Sequence, residues 1–108
     1  MLKIYPVVLE LIAMLRSSMD MLDRRDPDLA RQMRRASSSV ALNIAEGMYS
    51  RGKNRTARYH TALGSMRETQ SCLEVAIAFG YIDSIDPAVH ARLHQVIGTL
   101  VRLVGIGT

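Results

Sequence analysis

Aromatic residues are scarce in this chain, which has no tryptophan, one phenylalanine and four tyrosines among its 108 residues. β-Sandwiches and β-barrels depend on aromatic and β-branched side chains, so this shortage argues against a β fold. Hydrophobic residues nevertheless make up 48% of the chain, which argues against disorder. The composition therefore favours helices, and the length suits one hydrophobic core in a single domain spanning residues 1–108.

Cysteine and long apolar runs are also lacking. Cys72 is the only cysteine, so no intrachain disulfide forms and a reducing compartment is expected. No stretch approaches the ~18 uninterrupted apolar residues that a membrane-spanning helix requires. The apolar beginning of the chain is interrupted by Glu10 and lacks a cleavage-site pattern, unlike a signal peptide. We therefore expect a cytoplasmic protein with no membrane partner.

Four segments have the apolar spacing of amphipathic helices, and none has the spacing of a strand. The first runs from Pro6 to about Leu22, and the second from the capping pair Asp26-Pro27 to Glu46. The third extends from Asn54 to Phe79 and the fourth from Asp86-Pro87 to Val104. Because short links make successive helices antiparallel, the sequence predicts an all-α, up-down-up-down four-helix bundle.

A row of polar side chains lies beside the apolar stripe of the second predicted helix. The stripe comprises Leu29, Met33, Ala36, Val40 and Ile44, and the polar row comprises Gln32, Arg35, Ser39, Asn43 and Glu46. Because buried polar groups need hydrogen-bond partners, we expect a neighbouring helix to cover this row. We define the polar seam as Gln32, Ser39, Asn43, Glu46 and Gln70. It is interpreted as a helix-packing or oligomer contact that fixes register, with catalysis as the less favoured alternative.

The third predicted helix has a heptad seam, in which Gln70 is expected to pair with the second helix. The seam comprises Tyr59, Leu63, Met66, Gln70, Leu73 and Ile77. Gly64, in the middle of this helix, predicts close backbone packing. Gly47 is expected to follow the end of the second helix as its C′ residue.

Positive charge is concentrated in the middle of the chain. From Leu29 to Arg67 there are eight basic residues and one acidic residue, so this segment carries +7 and the rest −3. The candidate nucleic-acid contacts are Arg31, Arg34, Arg35, Arg51, Lys53, Arg55 and Arg58. Such a cluster suits a polyanion bound through its phosphates, with a solvated, salt-bridged face as the alternative. Tyr49 is a candidate for stacking on an unpaired base.

Three patterns resemble catalytic or metal motifs but lack essential residues. Gly47–Lys53 has the spacing of a phosphate-binding loop, but a helix precedes it and Asn54 occupies the Ser or Thr position. His90 and His94 share a helical face without the glutamate or third ligand of a zinc site. Ser37–Ser39 have no histidine and aspartate to activate them. We therefore expect no enzymatic activity, no cofactor and no bound metal.

Several short motifs resemble a known family. They are Arg34-Arg35-Ala36, Ser39-Val40, Asn43-Ile44-Ala45-Glu46-Gly47, Tyr59, Ala62-Leu63-Gly64-Ser65 with Glu68, and Ala76 through Gly80-Tyr81-Ile82. Together they resemble the four-helix-bundle proteins encoded in intervening sequences of bacterial 23S ribosomal RNA, a group that includes the accessory variability protein of diversity-generating retroelements. Family members usually have a proline just before Asn43, where this chain has Ala41-Leu42, so the kink expected there is missing.

The resemblance implies a four-helix bundle that assembles into a ring-shaped homo-oligomer, a pentamer, with basic surface from every subunit. It also implies association with RNA or DNA and, for the retroelement relatives, a reverse transcriptase as partner. The first hypothesis is a non-enzymatic oligomer that binds RNA or DNA by backbone charge. The alternative is a structural or protein-interaction oligomer without a nucleic-acid role, in which Arg35, Asn43, Glu46 and Gln70 lie at subunit contacts.

Overall fold

Five α-helices form the protein in the computed structural model, which describes the backbone of residues 3–107 and the side chains of residues 3–105. They are α1 Ile4–Met14, α2 Arg16–Arg25, α3 Pro27–Met48, α4 Gly52–Ala78 and α5 Pro87–Gly107. Residues 3–107 contain no strand, so the all-helical prediction is confirmed. The number of helices is five where the sequence predicted four.

The additional helix arises because the first predicted helix is divided at Leu15. The backbone there has φ −82° and ψ −6°, and the Leu15 N–H contacts the carbonyls of both Leu11 and Ile12. Hydrogen bonding continues through the junction, since the Met19 N–H donates to the Leu15 carbonyl at 2.9 Å. Leu15 is fully buried. The apolar spacing is therefore continuous across the junction and gives no sign of this local change in the backbone.

Aspartate caps begin two of the helices, as predicted. The Asp26 carboxylate accepts a hydrogen bond from the Leu29 N–H at 3.1 Å, and the Asp86 carboxylate accepts one from the Ala88 N–H at 2.8 Å. Each cap satisfies one of the backbone donors that the first turn of a helix leaves unpaired. At the other end of the molecule α5 continues through Gly105, beyond its predicted end at Val104.

The helices pack around one apolar core. Helix α3 contacts α1, α2 and α4, and α5 contacts α1 and α4. The apolar stripe predicted for α3, from Leu29 to Ile44, is buried. None of the helices in the described part of the chain is long and apolar enough to cross a membrane.

The face of α4 that points into the core differs from the predicted heptad seam. The buried residues of this helix are Tyr59, Ala62, Met66, Thr69, Cys72, Leu73 and Ala76. Leu63, Gln70 and Ile77 are only half-buried. The small side chains of Ala62, Thr69 and Ala76 allow a closer approach than the larger residues, and Thr69 satisfies its hydroxyl on the Ser65 carbonyl at 2.9 Å.

Gly47 lies inside α3, so its predicted position after the end of the helix is wrong. A Cβ built on Gly47 would lie 2.8 Å from Cδ1 of Tyr59 and closer still to Cε1. The Tyr59 ring is only 5% exposed and packs where that Cβ would be. The left-handed glycine of this turn is Gly52, with φ 57°, which begins α4 two residues before the predicted Asn54.

Replacing Gly47 with alanine should destabilise the protein by about 1–3 kcal/mol, because the new methyl group overlaps a buried ring. The matched control is Gly64→Ala, also in a helix, where a Cβ would have no neighbour within 4 Å. The predicted close packing at Gly64 is therefore wrong, and its replacement should stabilise the helix by about 0.5–1 kcal/mol. Urea unfolding of the three proteins measures both changes, and equal stability of the two variants would contradict the contact.

Candidate nucleic-acid interface

The seven cations predicted to contact nucleic acid fall into two groups along α3. Arg31, Arg34 and Arg35 lie near the beginning of this helix. Arg51, Lys53, Arg55 and Arg58 lie in or just after the α3–α4 turn, which we define as residues 49–53, that is, the link between the helices and the first two residues of α4. At 1.5 Å per residue, about 20 Å of helix separates Arg35 from the end of α3. The two groups therefore lie toward opposite ends of α3, although Arg35 and Arg58 line the same shallow depression between them.

Carboxylates neutralise most of the first group. Arg34 binds Asp23 through both oxygens, with Nη1 to Oδ1 at 2.7 Å and Nη2 to Oδ2 at 2.6 Å. Arg31 forms an ion pair with Asp28. Arg35 is exposed and makes no ion pair in the described part of the chain. This end of α3 therefore offers less free positive charge than the sequence predicted.

In the second group, Arg55 and Arg58 are engaged in holding α3 against α4. The Arg55 Nε–H donates to the carbonyls of Gly47 at 3.1 Å and Ser50 at 2.9 Å. Arg58 forms an ion pair with Glu46 at 3.0 Å. A role for Arg55 in holding the turn was not expected from the sequence, because a contact with main-chain carbonyls leaves no pattern among side chains.

The α3–α4 turn presents its remaining side chains to solvent. The Ser50 hydroxyl donates to the Glu46 carbonyl at 2.8 Å, and the Ser50 N–H donates to the Gly47 carbonyl at 3.2 Å. These bonds and the Arg55 contacts fix the backbone of the turn. Arg51 and Lys53 are exposed, and their side chains make no hydrogen bond or ion pair with the described residues. Tyr49 is 88% exposed, so its ring is open to a partner.

The polar seam joins α3 to α4 through hydroxyl and amide groups. Ser39 and Ser65 share a hydrogen bond of 2.8 Å between their hydroxyls. The Asn43 amide donates to the Ser39 carbonyl at 2.9 Å and to its hydroxyl at 3.1 Å. The half-buried side chains of Ser39 and Asn43 therefore have the hydrogen-bond partners that polar groups at a helix contact need.

Three members of the seam do not take part in these contacts, and one of them, Glu46, forms its ion pair with Arg58 instead. Gln32 is exposed, and half-buried Gln70 makes no hydrogen bond with the seam in the described chain. The pairing predicted for Gln70 is therefore wrong, and Ser65 occupies that role. The reason is the orientation of α4, which turns Thr69 rather than Gln70 into the core.

An apolar side chain lies exposed beside the seam. Leu42 is 63% exposed, and a shallow depression around it is lined by Arg35, Ser38, Glu46 and Arg58 among others. One exposed apolar side chain is common on protein surfaces and does not by itself mark a contact between proteins. The sequence gives no sign of a contact role for Leu42, because its spacing places it outside the apolar stripe.

These features define an all-helical protein with a cationic, solvent-facing turn and a polar seam between its two longest helices. A family model described as 23S rRNA-intervening sequence protein matches residues 4–102. The chain belongs to this family, which confirms the resemblance found in the sequence.

One solved structure has a similar fold and belongs to a protein with unknown function from the S23 ribosomal protein family of Bacteroides thetaiotaomicron VPI-5482. The TM-score is 0.80 and the sequence identity 18%, over 94% of this chain and 97% of that chain. At this identity the likeness concerns the fold alone. No curated protein matches this chain.

The Asp23–Arg34 pair makes stability depend on pH. The hydrogen bond from Arg34 lowers the pKa of Asp23 below its ordinary value of 3.8, so folding favours the carboxylate. The contribution is therefore present above that value and is lost as the pH falls through the lowered pKa. We expect Asp23→Asn to be less stable than the natural protein near neutral pH, and the difference to disappear at strongly acidic pH.

Urea midpoints measured across this pH range test the pair. Asp83→Asn is the matched control, because Asp83 is exposed and forms no ion pair within the described chain. It should not reproduce the pH-dependent difference. A constant difference for Asp23→Asn at every pH would assign the effect to something other than the ion pair.

Proposed function

We propose that this protein is a non-enzymatic homo-oligomer that binds RNA or DNA by attraction to the phosphate backbone. In this proposal the subunit is a four-helix bundle, with α1 and α2 together forming one of its four arms. The oligomer is a pentamer, as the family resemblance implies, and it lies in the cytoplasm, as the single cysteine indicates. The observation that carries the proposal is the α3–α4 turn, where the side chains of Arg51 and Lys53 are exposed and unpaired within the described chain.

The chemistry of the turn favours a polyanion. The nearest acidic residue in the sequence, Glu46, forms an ion pair with Arg58, so its charge is already balanced. Each phosphate that a lysine or arginine neutralises releases condensed counterions, which makes binding tighter at low salt. Such contacts follow the backbone and carry no base specificity. The Tyr49 ring adds a surface for an unpaired base, where stacking is worth about 1–3 kcal/mol per base.

Repetition of the turn in an oligomer would compensate for the small size of this surface. Two free cations and one aromatic ring give weak binding for a single subunit, whereas several copies of the turn on one assembly bind the same strand together. Linked sites of this kind raise overall affinity by about 10²–10⁴ when geometry permits simultaneous contact. The proposal thus combines a small cationic site with repetition, and it needs no catalytic group.

Reversing the charge of the turn should weaken binding of a structured RNA. We expect Arg51→Glu combined with Lys53→Glu to lower affinity about tenfold or more at ~50 mM salt, and to reduce the salt dependence by about one unit of log–log slope per lost contact. Both side chains lie outside the core, so circular dichroism should show an unchanged helix content. Co-sedimentation with a fluorescent RNA at ~50 and ~200 mM salt measures the affinity.

The control for this experiment changes the net charge equally at another place. Arg16→Glu with Arg24→Glu alters two exposed arginines of α2 that lie outside the basic segment. This variant should retain most of the affinity. Equal losses in both double variants would point to net charge alone and would exclude the turn as the binding site.

A second candidate function is a structural or protein-interaction oligomer, and the exposed Leu42 favours it. Together with Arg35, Glu46 and Arg58, Leu42 gives a surface with an apolar centre and charges of both signs. Interfaces between subunits commonly have an apolar centre and a polar rim. In this version the arginines serve contacts between copies of the chain, and RNA does not bind at either salt concentration.

Leu42→Gln should dissociate the oligomer if this surface joins subunits. Loss of a buried leucine costs about 1.5–3 kcal/mol and burial of an unpaired amide about 1–3 kcal/mol more, while the net charge stays the same. Sedimentation equilibrium measures the assembly, with Leu9→Gln on α1 as a control for another exposed leucine. An intact oligomer in the Leu42 variant would remove this surface from the subunit contact.

A further inference from the structure

Two histidine rings on α5 face each other at the distance of a metal chelate. His90 and His94 are one helical turn apart, their ring centroids lie 4.3 Å apart, and their Nε2 atoms are separated by 3.1 Å. Both side chains are exposed. The spacing in the sequence places the two residues on one face, whereas the orientation of the rings brings the same nitrogen of each ring together.

The separation of the two nitrogens fits a single metal ion. Imidazole nitrogens bind divalent transition metals at about 2.0–2.1 Å, so two nitrogens at this separation would subtend an angle of about 95–100° at the ion. That angle is near the right angle between neighbouring ligands in the tetragonal sites of Cu²⁺ and Ni²⁺. It lies farther from the tetrahedral angle that structural zinc sites require.

The two Nε2 atoms already lie close together in the absence of a metal ion. With neutral rings, one Nε2 carries a proton and donates it to the other, which holds the two nitrogens together. When a metal ion replaces this hydrogen bond, the proton moves to Nδ1 of the same ring, so both histidines bind through Nε2 as neutral imidazoles. Because α5 fixes the spacing of the two backbone positions, only the torsions of the two side chains are ordered on binding.

Contrary to the sequence-based expectation of no bound metal at this pair, we propose that His90 and His94 form a bidentate site for a divalent transition-metal ion of the Ni²⁺ and Cu²⁺ class on the outer face of α5. No group of three or more histidine, cysteine, aspartate or glutamate side chains in the described chain is placed to hold a metal. Water or a donor from another molecule therefore fills the remaining positions. Position 91 is alanine, so the glutamate of zinc proteases is absent and the site binds without hydrolysing.

This site is separate from the proposed nucleic-acid surface. Helix α4 has 27 residues and runs from the α3–α4 turn to the loop before α5, a length of about 40 Å at 1.5 Å per residue. The histidines lie in the first turns of α5, after that loop. Metal binding therefore tests the site independently of RNA binding, and either property can fail without the other.

Calorimetric titration of the full chain with Ni²⁺, in a buffer that does not chelate metals, tests the proposal. The natural protein should bind one ion per chain, and His90→Ala and His94→Ala should each weaken binding about tenfold or more, because the second ligand acts at a high effective concentration. The matched control is His60→Ala, which removes the third histidine of the chain, exposed on α4, and should leave binding unchanged.

Electron paramagnetic resonance with Cu²⁺ supplies a second measurement that reports the ligands directly. The natural protein should show coupling to two imidazole nitrogens and each single variant coupling to one. Alanine favours the helix and both positions are exposed, so the variants should keep their helix content. Equal Ni²⁺ affinity in the natural protein and the His90 variant, or an equal loss in the His60 variant, would overturn the proposal.

Discussion

The contact between the Tyr59 ring and the backbone at Gly47 determines how α3 meets α4. Because the ring occupies the space of a Cβ, the last turn of α3 lies close to the first turns of α4. That proximity lets the Arg55 Nε–H reach the carbonyls of Gly47 and Ser50 and brings Arg58 to Glu46. A single close approach therefore fixes both the backbone of the turn and the partners of Arg55 and Arg58, two of the four cations in the second group.

The polar contacts between α3 and α4 extend this arrangement along the helices. The hydroxyl pair of Ser39 and Ser65, supported by the Asn43 amide, holds the register at the middle of the interface. With register and turn both fixed, Arg51 and Lys53 have no partner within the described chain and remain in solvent. Two of the four cations of the second group thus stay clear of the contacts that hold the helices together.

Much of the fold followed from local chemistry in the sequence. The capping aspartates Asp26 and Asp86 marked two helix beginnings, because an N-cap depends on residues within one turn. The buried stripe of α3 followed from its spacing. The division of the first predicted helix at Leu15 could not be predicted, because both sides of the junction keep the same apolar period. The orientation of α4 could not be predicted from the sequence either, because two neighbouring stripes of this helix are both apolar enough to face the core. Thr69 can be buried on one of them because its hydroxyl donates to the Ser65 carbonyl.

The sequence by itself determined the helical class, the family and the concentration of positive charge between Leu29 and Arg67, since these depend on composition, motifs and spacing. Only the tertiary structure decided which cations are free. Arg34 meets Asp23 eleven residues earlier in the chain, and Arg58 meets Glu46 across the turn. An ion pair forms where the path of the backbone brings opposite charges within a few ångströms, and a linear pattern of charges does not contain that distance.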